Sequence, residues 1–144
     1  MTLLVSKTRE SAHLFTRATD GSAGLDLSAC IEVPQTLSPN GSCVIPTGLS
    51  VAIPFGYVGL VFGRSGLGIR HGITLSNAVG VIDSDYRGEI MVGLLNRSTT
   101  PYTINPGERI AQLVLTPVLV PNIEVCDFLP ETNRGAAGFG STGR

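Results

Sequence analysis

The sequence has no tryptophan, a single lysine and almost nowhere to put an ordinary helix. Its 18 glycines and 9 prolines leave, after Gly24, no uninterrupted window longer than nine residues. Helices that short are marginal in water, so a helical architecture is excluded. Charge is also scarce, at 15% of residues against 42% apolar. A surface so poor in charge is expected to be partly covered by a partner, which points to an oligomer. The formal net charge of -1 argues against a nucleic-acid binder, which needs a basic face. No apolar run approaches the roughly 20 residues of a membrane span, and no membrane association is expected. The start, "MTLLVSKTRE", meets charge too early for a secretory signal. Three cysteines (Cys30, Cys43, Cys126) are an odd number without C-x-x-C spacing, and His13 and His71 lie far from them. Neither a zinc site nor a disulfide framework is expected. The thiols are expected to be buried, and the protein soluble and cytoplasmic.

What remains is a sequence of short β-branched and aliphatic runs separated by turn residues. Strands are expected at 25–33, 43–45, 48–53, 57–62, 73–75, 78–82, 89–95, 101–104, 108–115 and 123–128, with "LLV" near the N-terminus as another. Residues 65–70, "SGLGIR", suit one helical turn. Many short strands in one stretch of 144 residues predict a single all-β domain of sandwich, jelly-roll or barrel type. The last residues, "RGAAGFGSTGR", lack the runs that hold a strand in a sheet and read as a mobile tail.

The polar residues are concentrated in a few segments. Nine of the ten basic residues are arginine, whose planar fork suits phosphates and carboxylates. In "GRSGLGIRHGI", Arg64, Ser65 and Gly66 offer a guanidinium, a hydroxyl and an open backbone N–H. In "GSAGLDLSA", alternation points Asp26 away from the apolar face of Leu25 and Leu27. In "NPGERIAQLVL", alternation sets Arg109, Ala111 and Leu113 on one face and Gln112 on the other. A half-buried amide there needs a structural partner or a ligand. The stretch "GVIDSDYRGEI" gathers three carboxylates, an arginine and a tyrosine between apolar flanks, as a hairpin would at its bend. A carboxylate at that bend suits a general base, and Tyr86 a flat wall for a sugar or base. The tail segment "GAAGFGST" nearly matches a nucleotide-triphosphatase phosphate loop. Ser141 stands at the lysine position, however, and no helix follows, so that reading fails. Its open backbone can still wrap a polyphosphate beside Arg134, Ser141 and Thr142, and Phe139 can stack on a flat ring.

In chain order, "AGLDLSA", "GRSGLGIRHGI", "NAVGVIDSDYRGEI", "PGERIAQLVL" and "RGAAGFGSTG" resemble the five motifs of the trimeric deoxyuridine triphosphate nucleotidohydrolase (dUTPase) family. The resemblance covers nearly the whole chain. It implies a homotrimer of jelly-roll-like β subunits (a distorted barrel or sandwich) with sites shared between chains. It further implies a body at 1–130 and a tail at 131–144 that closes over the site. The implied reaction is hydrolysis of dUTP to dUMP and pyrophosphate with Mg²⁺ on the triphosphate, supplying dUMP for thymidylate synthesis. Asp83 is then the base for water attacking the α-phosphorus, and Tyr86 packs under the deoxyribose. Asn77 and the backbone of Val81, Ile82 and Asp83 read the uracil, and Met91 lines the pocket. Arg64, Ser65, Gly66 and Gln112 hold phosphates, while Asp26 supports the water shell of Mg²⁺. Arg134, Ser141 and Thr142 grip the γ-phosphate, and Phe139 closes over the base. Gly63 departs from the family, which usually has proline there, and a looser phosphate loop is the expected consequence. The competing readings are a dCTP deaminase of the same fold and a non-catalytic β-sandwich binding module. The Tyr-Arg-Gly turn and the glycine-rich C-terminal motif favour the dUTPase.

Overall fold

A computed structural model describes residues 2–138. The described residues are all-β apart from one short helix. In order, the elements are β1 (Leu4–Lys7), β2 (Leu25–Ser28), β3 (Gln35–Leu37), β4 (Ser42–Pro46), β5 (Leu49–Ala52) and β6 (Tyr57–Gly63). There follow α1 (Ser65–His71), β7 (Ile73–Leu75), β8 (Gly80–Ile82), β9 (Met91–Asn96), β10 (Tyr102–Ile104) and β11 (Arg109–Pro117). The strands form a four-stranded sheet, β2-β11-β6-β8, a three-stranded sheet, β4-β9-β7, and two pairs, β1-β5 and β3-β10. Every named pairing is antiparallel. This is the jelly-roll-like β architecture expected, open rather than closed into a barrel.

Alternation explains most of the core. In β9, Val92, Leu94 and Asn96 are buried, while Met91, Gly93 and Leu95 face outward. Leu27, Ile45, Leu49, Ile73, Ile90, Ile104 and Leu113 complete a continuous apolar centre. Asn96 is fully buried yet satisfied: its amide donates to the Leu37 and Thr100 carbonyls at 3.1 and 2.8 Å. Its carbonyl oxygen accepts from the Ser98 N–H and hydroxyl at 2.9 and 2.7 Å.

Five expectations need correction. Residues 123–128 form no strand; Ile123 and Val125 are each 94% exposed, because their own chain provides no strand beside them. The stretch 80–90 is not a hairpin, since β8 pairs with β6 whereas β9 pairs with β4 and β7. The segment crosses between sheets, and the fully buried Ile90 fastens its far end. A bulge between Arg109 and Ala111 breaks the alternation of β11. Ile110 and Ala111 are consequently both buried, and Arg109 leaves the Ala111–Leu113 face. Of the cysteines, Cys30 is buried, Cys43 half-buried and Cys126 exposed. The last lies in the stretch without a strand. Finally, β3, which was not expected, pairs with β10 and is tied to it by a 2.8 Å bond between the Thr36 and Thr103 hydroxyls.

Candidate active site

Two separate groups of the expected site residues emerge. The first surrounds a cleft of about 380 Å³ lined by Asp26, Arg64, Ser65, Gly66, Gln112 and the turn at Ser22–Gly24. Strand β2 delivers Asp26 opposite Gln112 of β11, and Gln112 in turn lies opposite Phe62 of β6. The Gln112 amide donates to the Gly63 carbonyl at 3.1 Å. Gly24 makes room for Gln112, since a Cβ at 24 would lie 2.4 Å from its side-chain oxygen. Sequence reasoning assigned no role to Gly24, because close approach between two strands is invisible before they are paired. Arg64 is the residue that caps α1, and Ser65 and Gly66 open the helix, where the first backbone N–H groups have no intrahelical partner.

Asp26 stands between two guanidinium groups, 3.2 Å from Arg64 Nε and 2.9 Å from Arg109 Nη1. Arg64 Nη1 also donates to the Arg109 carbonyl at 3.2 Å. Two positive charges against one negative leave this trio net cationic, a surface suited to phosphate oxygens. The bulge in β11 is what turns Arg109 toward Asp26. Among the described residues no three His, Cys, Asp or Glu side chains cluster as metal ligands. The cleft lining carries a single carboxylate, Asp26, which fits a divalent ion brought in by a bound polyphosphate rather than one held by the protein alone.

The second group is built on the crossing at 80–90. The Tyr86 N–H donates to the Asp83 carbonyl at 3.2 Å, closing a turn. Arg87 Nη1 donates to the carbonyls of Ser84 and Tyr86 at 2.7 and 2.8 Å. The Tyr86 hydroxyl donates to the Glu89 carbonyl at 3.0 Å, and its ring packs over Gly88, where a Cβ would clash at 2.3 Å. Tyr86 remains 42% exposed. Glu89 is a fastener: its carboxylate accepts from Arg9 at 2.9 and 3.2 Å and from the Gly48 N–H at 2.6 Å. The hydrogen bond from Arg9 holds the Glu89 carboxyl below its usual range, against the opposing effect of burial. Asp83 is exposed, and its carboxylate has no hydrogen-bond or ion-pair partner among the described residues.

Strand β8 is the last strand of its sheet, so one side of the Gly80–Ile82 backbone is paired with β6 and the other lies at the sheet's edge. Asn77 lies in the loop before it, next to Ala78 at φ 62°. The Ser76 N–H donates to the Gly93 carbonyl at 3.0 Å, setting this loop against the face of β9 on which Met91 is 46% exposed. Arg134 is exposed, and its Nε donates to the Ala137 carbonyl at 2.9 Å. Phe139, Ser141 and Thr142 lie outside the described residues.

One chain does not bring the two groups together. Ile82 is opposite Gly59, and from there to Arg64 strand β6 advances roughly 16 Å at about 3.3 Å per residue. Asp26 lies a further three strands across from β8, roughly 14 Å at about 4.8 Å per strand.

The fold and the cleft define an all-β protein with a donor-rich recess, lined by Arg64 and bordered through Asp26 by Arg109, of a kind suited to a polyphosphate. The sequence matches the dUTPase family over residues 10–143, and the chain belongs to that family. It is 52% identical over 128 residues to a deoxyuridine 5'-triphosphate nucleotidohydrolase of Burkholderia mallei (strain SAVP1), covering 88% of this chain and 86% of the relative. A protein of the same name from Ralstonia nicotianae is 51% identical over the same share. Among solved structures, the Staphylococcus bacteriophage 80alpha dUTPase with dUpNHpp is similar at a TM-score of 0.90 and 29% identity, covering 99% of each chain.

Proposed function

We propose that the chain hydrolyses dUTP to dUMP and pyrophosphate in a site assembled from several copies of itself. Hydrolysis of dUTP rests on family membership; the roles of individual residues follow the motifs in which they stand, and the cleft supports those of Asp26, Arg64, Ser65, Gly66 and Gln112. Arg64, Ser65, Gly66 and Gln112 hold phosphate oxygens in the cleft. Asp26 would hold the water shell of a Mg²⁺ ion bound with the triphosphate, which would supply charge neutralisation there. Asn77 and the edge backbone of 81–83 read the uracil, and Met91 lines its pocket. Tyr86 lies flat under the deoxyribose and leaves no room for a 2′-hydroxyl, which rejects the ribonucleotide. Asp83, free of protein partners among the described residues, takes the proton from the water that attacks the α-phosphorus. The leaving pyrophosphate remains held by the arginine and backbone donors until release.

The observation that carries the reading is the separation of the phosphate cleft from the Asp83 turn. A base must come within hydrogen-bond reach of its water, directly beside the phosphates. If both groups serve one reaction, a span of this size is closed when they come from different subunits, which supports a homotrimer. The exposed apolar residues Leu119, Ile123, Val125 and Phe128 would then be covered by a neighbouring copy. Residues 1–130 form the body, and 131–144 the tail that closes over the site. Arg134, Ser141 and Thr142 grip the γ-phosphate, and Phe139 stacks on the uracil. The enzyme works in the cytoplasm, supplying dUMP for thymidylate synthesis. Pyrophosphate release with Mg²⁺, measured in parallel from dUTP, UTP, dCTP and dTTP, tests the reading. Release confined to dUTP is expected, and equal rates with UTP or dCTP would overturn it.

A further inference from the structure

We infer that Arg109 is a positioning residue for phosphate binding, acting on the nucleotide through Asp26 and Arg64. A guanidinium is useful to a phosphate only if it is held in one orientation, because an unrestrained arginine loses rotamer freedom on binding. Arg64 is held at two points. Its Nε faces Asp26 Oδ1 at 3.2 Å, and its Nη1 donates to the Arg109 carbonyl at 3.2 Å. The Asp26 carboxylate is itself free to turn about its last side-chain bond unless its second oxygen is fixed. Arg109 Nη1 fixes it, at 2.9 Å from Oδ2. The restraint therefore runs from the Arg109 side chain to Asp26, from Asp26 to Arg64, and from Arg64 into the cleft.

The local fold is shaped for this contact. Regular alternation would put Arg109 on the Ala111–Leu113 face, among apolar side chains. The bulge between Arg109 and Ala111 instead turns it to the face of Asp26 and brings its carbonyl within reach of Arg64. Behind it, Glu108 accepts hydrogen bonds from the Tyr102 hydroxyl and, at 2.9 Å, from the Asn105 N–H, which fixes the turn leading into the bulge. Arg109 also keeps the trio net cationic when Asp26 is ionised, so the carboxylate does not cancel the attraction of Arg64 for phosphate.

This inference rests on the assignment of Arg64 to phosphate binding, and a double-mutant cycle tests it on the full-length protein. Binding of dUpNHpp with Mg²⁺ is measured by calorimetry for the wild type, Arg109→Gln, Arg64→Gln and the double variant, each checked by thermal melting. Arg109→Gln alone should weaken binding roughly tenfold, in the range of coupled network residues. In the Arg64→Gln background the same change should cost less than about twofold, since the group it positions is gone. Arg109→Lys, which keeps a cation within reach of Asp26, should restore a substantial part of the loss. If Arg109→Gln does not fold, the Lys variant takes its place in the cycle, with a smaller loss in the wild-type background and the same disappearance without Arg64. Equal losses in both backgrounds would show that Arg109 acts on its own or on the fold at large, and would overturn the clamp. A wild-type protein that does not bind dUpNHpp would overturn the functional reading and this inference together.

Discussion

At the scale of the residue, the polar side chains of 83–89 include two exposed carboxylates, Asp83 and Asp85, without a hydrogen-bond or ion-pair partner among the described residues, and three side chains that hold the turn in place. Asp83 has no protein partner among the described residues, whereas Tyr86, Arg87 and Glu89 are all engaged with the turn or its neighbours. Asp83→Asn is isosteric and disturbs none of those bonds. It should keep the fold and nucleotide affinity but lose at least about a hundredfold in kcat, the low end for a general base. Near-normal turnover would remove Asp83 from the reaction. Glu89 makes the opposite kind of contribution. Its folded carboxyl titrates below the unfolded one, so it stabilises the fold fully above the unfolded value of about 4.3 and loses that effect as pH falls through the folded value. The stability difference between the wild type and Glu89→Gln should be constant near neutrality and shrink below about pH 4. Urea unfolding at pH 7, 5, 4 and 3 measures it, and a gap that does not narrow would deny the ion pair with Arg9 this role.

At the scale of the element, what could be read beforehand was whatever depends on local composition. Strands β4–β7 and β9–β11 fall within a residue or two of expectation, because alternating β-branched runs between glycines and prolines admit little else. The Gly-Pro spacing that excluded long helices also left room for α1. Features that depend on pairing were not legible. Strand β3 has three residues between two prolines, too few to show a period, and exists because β10 lies beside it. The bulge in β11 leaves no mark in "GERIAQLVL", yet it decides which way Arg109 points. The two arms of "GVIDSDYRGEI" look like a hairpin because both are apolar; only the partners β6 and β4 reveal a crossing. At Gly63 the structure shows what the backbone permits. That glycine is not among the residues with positive φ, and a Cβ there would have only the Leu75 nitrogen nearby, at 4.0 Å. Nothing in the fold requires glycine at 63. Gly63→Ala should therefore stabilise by about 0.4–1 kcal/mol, through lost freedom of the unfolded chain. The readout is a higher urea midpoint with unchanged slope at fixed protein concentration. A lower midpoint would reveal a need for glycine in the phosphate loop.

At the scale of the whole molecule, the proposed reaction calls for more than a single copy of the chain. The cleft proposed to hold phosphates and the turn that carries Asp83 lie toward opposite ends of β6, and the C-terminal stretch leaves Leu119, Ile123, Val125, Phe128 and Leu129 exposed. Sequence alone gave 123–128 the composition of a strand without saying whose neighbour it would be. An exchange experiment decides whether the tail also works on another subunit's base. Two inactive proteins, Asp83→Asn and a chain truncated after Pro130, are unfolded and refolded together. In a cyclic trimer each site takes its base from one subunit and its tail from another, so every mixed trimer has one site with both intact. Random assembly at equal amounts makes about three quarters of the trimers mixed, and one site in three of those is active. Activity should therefore return to roughly a quarter of wild type. If each tail served its own subunit, every site would lack either base or tail, and none would return. Mass spectrometry of the refolded sample establishes that mixed trimers are present, and mixed trimers without activity would overturn the shared site.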